Sequence, residues 1–176
     1  MKIFMMDVES IGLHGEGFAV AWLVHDTKTG AELDSGCYSA GPDAAEGLQE
    51  DREWVMANVD LSMRWTHDNL ESMQRDFWAV WERWREDGAV AAADCPWPVE
   101  SRFLAECMDA GLAGSRWDGP YPILDVVSAR MGAGETLAEV MAPGERLPNE
   151  LPAHNPLADC RQSMRLLLWA LRRTAP

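Results

Sequence analysis

The chain opens with an unbroken apolar run, Ile3-Phe4-Met5-Met6, which then passes into the alternation Asp7-Val8-Glu9. A strand sends successive side chains to opposite faces, so Asp7 and Glu9 project side by side while Val8 turns into the other layer. Gly12 ends this strand with a turn. Gly17 to Val24 reads as a second, buried strand. Asp26-Thr27-Lys28-Thr29-Gly30 carries turn chemistry, and Ala31 to Ser39 resumes as a third strand with Leu33 and Tyr38 as its larger side chains. These three form an antiparallel opening unit, closed by Gly41-Pro42.

Residues 43–68 are polar, acidic and poorly periodic, with Trp54 and Trp65 embedded, and read as a loop or short helix over the surface. From about residue 69 to 87 the period becomes helical: Leu70, Met73, Phe77, Trp81 and Trp84 recur at steps of three and four. That stripe is expected in the core, which leaves Trp78, off the stripe, as the exposed aromatic. Gly88 stops the helix, and Ala89 to Ala93 leads as a short buried strand to Asp94. A helix follows from about 99 to 111, with Phe103, Leu104 and Met108 inward and Gly111 near its end. After a loop from Gly114 to Pro122, Ile123 to Val127 forms another short strand. Ala129 to Ala142 is expected as a helix broken by Gly132 and Gly134, and Pro143 to Pro152 is irregular.

The last element is well marked. Asn155 suits an N-cap and Pro156 the first helical position, where no amide donor is required. Leu157, Cys160, Met164, Leu167 or Leu168, and Leu171 make its buried stripe; Arg161, Arg165, Arg172 and Arg173 lie off it. The order β-β-β-α-β-α-β-α predicts one α/β domain over residues 1–176. Its sheet is mixed and five-stranded, three antiparallel strands then parallel additions, with helices on both faces.

Composition changes this picture in two ways. The net charge of −14 is unevenly spread: residues 1–144 hold 10 basic and 26 acidic side chains, whereas residues 145–176 hold 5 arginines and 3 acids. An acidic body disfavours tight binding of long duplex, which needs many phosphate contacts from Lys and Arg. It leaves room for a short strand held at its end by metal ions and a few arginines. The four cysteines have no CxxC spacing, so they are expected as free thiols. With no signal-peptide pattern and no apolar run of spanning length, a cytoplasmic location is expected.

Ionisable groups collect at element ends: Asp7 and Glu9 after the first strand, Asp94 after the fourth, His154 and Asp159 around the start of the last helix. Taken alone, an Asp-x-Glu pair is a hydrated strand end, Asp159 a favourable first-turn acid and His154 a surface histidine. Together they carry more. Asp7-Val8-Glu9-Ser10-Ile11-Gly12-Leu13 resembles the first exonuclease motif of the DEDD superfamily. Asp94, with Phe103-Leu104 on the helix that follows, resembles the second motif. His154-Asn155-Pro156-Leu157-Ala158-Asp159 has the His-x-x-x-x-Asp spacing of the third motif in the DEDDh branch. Small size and the Ala-Asp-Cys-Pro-Trp-Pro segment look most like compact bacterial or phage exoribonuclease-like proteins. One departure stands out: Ala91-Ala92-Ala93 precede Asp94 where the family carries an Asn- or His-containing run.

The resemblance implies a ribonuclease H-like fold and 3′-to-5′ release of nucleoside monophosphates from single-stranded nucleic acid, RNA before DNA. It implies two divalent ions, Mg2+ or Mn2+, held by Asp7, Glu9, Asp94 and Asp159, hard cations suited to oxygen ligands. By the same pattern Asp7 bridges the ions, Glu9 and Asp159 hold the one that carries the attacking water, and Asp94 helps hold the other. His154 takes the proton from that water, Leu13 wedges beside the terminal base, and the Ser10 backbone contacts the terminal sugar hydroxyl. Arg161 and Arg165 are candidate phosphate contacts. Analogy with small exonucleases, together with nine tryptophans, suggests a homodimer. A DNA-directed exonuclease and a non-catalytic interaction module of the same fold are the competing readings.

Overall fold

The computed structural model describes residues 1–61, 64–115, 117–142, 147 and 153–174. The expectation for Pro143 to Pro152 falls outside these residues, save for Leu147. Five strands form one sheet in the order β3-β2-β1-β4-β5: β1 (Lys2–Ser10), β2 (Gly17–Asp26), β3 (Ala31–Ser39), β4 (Ala89–Ala93) and β5 (Ile123–Asp125). β1 pairs antiparallel with β2, and β2 with β3, while β1–β4 and β4–β5 are parallel. The mixed α/β sheet expected from the strand pattern is therefore present.

Alternation along β1 divides the core. Phe4, Met6 and Val8 face a layer made by α2 (Leu70–Glu86) and α3 (Val99–Asp109), where Met73, Phe77, Trp78, Trp81, Phe103 and Leu104 pack. Phe77 is its hub: its ring meets those of Phe4, Trp22 and Phe103 edge-on, at centroid distances of 6.0, 6.5 and 5.4 Å. Ile3 and Met5 face the other layer, with Ala21, Leu23, Ala92, Val126, Cys160, Met164 and Leu167. The last three belong to α6 (Pro156–Thr174), and Val126 to α4 (Val126–Gly132). Asp7 and Glu9 continue the Ile3–Met5 face, so β1 aims them at the α6 side.

Two elements differ from their sequence expectation. Trp78 is 2% exposed, not the exposed aromatic of α2. The helix meets β2, β3, β4 and α3 at once, so its buried face widens from one stripe to Met73, Gln74, Phe77, Trp78 and Trp81. The 43–68 stretch holds a short helix, one of the two forms expected there: α1 (Gln49–Asn58), after a 3-10 turn at Pro42–Ala44. β5 ends at Asp125 because that side chain caps α4, accepting from the Ser128 amide at 2.8 Å, so helix replaces strand from Val126. The chain beyond it is broken as expected, α5 being only Leu137–Val140. Among the described residues, no helix is long and apolar enough to cross a membrane.

The two classes of aromatic should separate on unfolding. Phe77→Ala is expected to cost about 3–5 kcal/mol in urea unfolding, as for a fully buried ring, and Trp97→Ala, 74% exposed, to change stability by no more than about 0.5 kcal/mol.

Candidate metal centre

Each acid is delivered by an identifiable local device. Opposite Asp7 and Glu9 on β2 stand Ala21 and Ala19, small residues that let α6 approach that face of the sheet. Asn155 starts α6 by accepting from the Ala158 amide with its Oδ1 at 3.1 Å, and its carbonyl accepts from the Asp159 amide at 2.9 Å. The first turn thus places Asp159 over β1. One carboxylate oxygen from each of Asp7, Glu9 and Asp159 lies within 4.8 Å of the others. The three line a cleft of about 320 Å³ together with Asp94, Arg130, His154 and Gln162.

The electrostatics follow from crowding. Burial holds the Asp7 carboxyl well above the ordinary carboxylate range, and Glu9, Glu100, Asp159 and Asp94 raise it further, in that order. Glu9 is pushed up to about 8 by burial, then by Asp159 and Glu100. Asp94 is raised by the same loss of water and by Asp125 and Asp159, with the Arg130 guanidinium pulling the other way. Among the described residues, Arg130 is the one cation lining this cleft. It is already committed, with its Nε 2.5 Å from Glu135 Oε2 and its terminal nitrogens donating to the Glu139 and Val140 carbonyls, both at 3.3 Å. A divalent cation answers what this donor set lacks: several oxygen ligands, a net negative charge and little local compensation.

No family model and no curated protein sequence matches the chain. The site therefore has to be read from its own geometry.

His154 borders the acidic cleft and also a second one of about 430 Å³, lined by Ser10, Gly12, Leu13, Asp51, Trp54 and Val99. It has a left-handed backbone, with φ 62°, a conformation that costs a non-glycine residue on the order of 1 kcal/mol. The loop is pinned from α1. The Asp60 amide donates to the His154 carbonyl at 3.1 Å, Asn155 Nδ2 donates to Asp60 Oδ2 at 3.0 Å, and the Trp54 ring meets the imidazole edge-on at 5.1 Å. Gly12 lets α1 come this close. At φ 67°, it lies where a Cβ would sit 2.4 Å from the Asp51 carboxyl.

The sequence-derived residues divide accordingly. Asp7, Glu9, Asp94, His154 and Asp159 line one cleft. Ser10 and Leu13 line its neighbour, and Ser10 Oγ donates to the Gly12 carbonyl at 2.6 Å. Arg161 and Arg165 line neither: they border a separate pocket with Leu23, His25 and Glu32, where Arg161 pairs with Glu32 at 3.5 Å. At 3.6 residues per turn they lie roughly 200° and 240° around α6 from Asp159. Gln162, Ser163 and Leu166 fall on the Asp159 side and do line the acidic cleft. That rotation could have been read from the sequence. Glu100, Trp54, Asp60 and Arg130 could not, because each reaches the site from an element whose docking no local pattern reveals.

Crowded acids make a pH signature. An acid whose folded pKa lies above its unfolded one carries no penalty below the unfolded value, and the full penalty above the folded value. With Glu9 moved from 4.5 to about 8 and Glu100 from 4.5 to about 7, the metal-free protein should lose stability as pH rises through that window. The acids whose pKa is lowered, Asp26, Asp118 and Glu139, lose their contribution only at more acidic pH. Urea midpoints between about pH 5 and pH 8 should fall in metal-free buffer. Glu9→Gln should flatten the slope, and millimolar Mn2+ should remove it.

Proposed function

We propose that the chain is a two-metal-ion 3′-5′ exonuclease of the DEDDh type, acting on single-stranded nucleic acid and releasing nucleoside 5′-monophosphates. One observation carries this reading. Carboxylates from the first strand and from the last helix, 152 residues apart between Asp7 and Asp159, come within 4.8 Å in a cleft that His154 also lines. Solvated acids have no reason to converge, since each approach costs desolvation and repulsion.

Asp7, Glu9 and Asp159 would hold the ions, with a fourth carboxylate from the chain that follows β4; Asp94 takes that place in the resemblance. When bound, a pair of Mg2+ or Mn2+ ions would stabilise the attacking and leaving oxygens of an in-line displacement at phosphorus. The protein's part is positioning and proton transfer. The His154 imidazole accepts a proton from the attacking water. The adjoining cleft, apolar along Leu13, Trp54 and Val99, receives the terminal base, with Leu13 wedged beside it and the Ser10 backbone toward the terminal sugar. Because His154 belongs to both clefts, a base seated in one sets its phosphate before the imidazole and acids of the other. The preference for RNA rests on the likeness to compact exoribonuclease-like proteins, and the acidic body favours short strands.

The test uses 5′- and 3′-labelled single strands with Mn2+. Mononucleotides should leave from the 3′ end, Asp7→Ala should abolish release, and His154→Ala should lower kcat by about 10²–10⁴-fold. RNA and DNA oligomers of one sequence, run side by side, decide between the exoribonuclease and the DNA-directed enzyme. Full activity in both variants would sink the assignment.

A further inference from the structure

We infer that Glu100, rather than Asp94, is the fourth carboxylate of the proposed centre, joining Asp7 in holding a divalent cation. This rests on the exonuclease reading and refines its ligand set.

The placement follows from unequal strand lengths. β4 pairs with β1 only from Lys2↔Ala89 to Met5↔Ala92, whereas β1 runs on to Ser10. Past Met5 this edge of β1 has lost its strand partner, and the first turn of α3 occupies the vacated place. There Glu100 Oε1 accepts from the Val8 amide at 3.4 Å. The side chain arrives from the sheet edge, beside the residue that separates Asp7 from Glu9.

Its surroundings are wrong for a carboxylate with a purely structural task. Glu100 is 8% exposed, and its ion-pairing partners among the described residues number none. Its donors are two backbone amides, those of Val8 and of Glu100 itself, and the charges that face it are acids, with Asp94 raising its pKa and Asp7 and Glu9 raised by it in turn. A buried carboxylate held by backbone amides alone, among other acids, lacks a counter-charge. A cation shared with Asp7 supplies the missing partner. Asp94 is placed differently. It lines the acidic cleft from the open end of β4, is more open to solvent than Glu100, and already faces the Arg130 guanidinium. Glutamate's extra methylene suits a ligand that must reach past the end of a strand.

Glu100→Gln separates the two roles, because the amide oxygen can still accept from Val8 while the charge is gone. Mn2+ titration by calorimetry, without nucleic acid, should show two ions on the native protein and the loss of one, or at least a tenfold weaker second site, in Glu100→Gln. Asp94→Asn should keep both sites within about threefold. Metal-free Glu100→Gln should also melt higher than the native protein near pH 8, since a repelling charge has been removed, and should gain less from Mn2+. Two native-affinity sites in Glu100→Gln, or an unfolded Glu100→Gln protein by circular dichroism, would overturn the proposal while leaving the exonuclease reading intact. A native protein that binds no Mn2+ at millimolar concentration would instead remove that reading, and this inference with it.

Discussion

Like charges crowded into a space short of water form an unstable arrangement, and this structure gathers them at the end of its first strand. Asp7, Glu9 and Asp159 share a few ångströms, Glu100 presses in from the edge, and Arg130 is occupied elsewhere. Protonation relieves the repulsion below neutrality, as the raised carboxyls indicate. Above it, a divalent cation is the remedy that needs no rearrangement of the protein. The rest of the fold makes the crowding tolerable: two apolar layers, one on each face of the sheet, anchor β1 so firmly that its polar end stays where repulsion would otherwise move it.

The same anchoring explains which features were legible in the sequence. The alternation in Ile3–Glu9 gave strand, face and the pairing of the two acids. The Asn155-Pro156 start gave α6 and the position of Asp159, because caps act locally. Both are short-range rules, and both held. Trp78 was misplaced because a single helical stripe describes a helix packed on one side, and α2 packs on more than one. Glu100 went unseen for a related reason. Nothing in Val99-Glu100-Ser101 marks it, and its place beside Val8 comes from β4 stopping at Ala93, a property of another element. Arg161 and Arg165 were picked for their charge alone, and their rotation about α6 sets them on a separate pocket that Glu32 also lines.

The division of labour between the two clefts is also physical. One is polar and lined by acids; its neighbour is largely apolar, with Leu13 and Trp54 open to solvent. Under the proposed function, the first handles charge at phosphorus and the second the flat apolar face of a base. Among the described residues, Val8, Glu9 and the loop residue His154 line both.

That loop has a mechanical consequence. The His154 carbonyl is fastened to Asp60, just beyond α1, and its ring leans on Trp54 of the same helix. α1 in turn rests on the β1 turn through the gap at Gly12. Trp54 and the His154 ring are therefore braced against each other and against the same segment of chain. Under the proposed function, the wall that receives the base and the imidazole that accepts the proton would thus share one support, so that fit and reactivity would be linked.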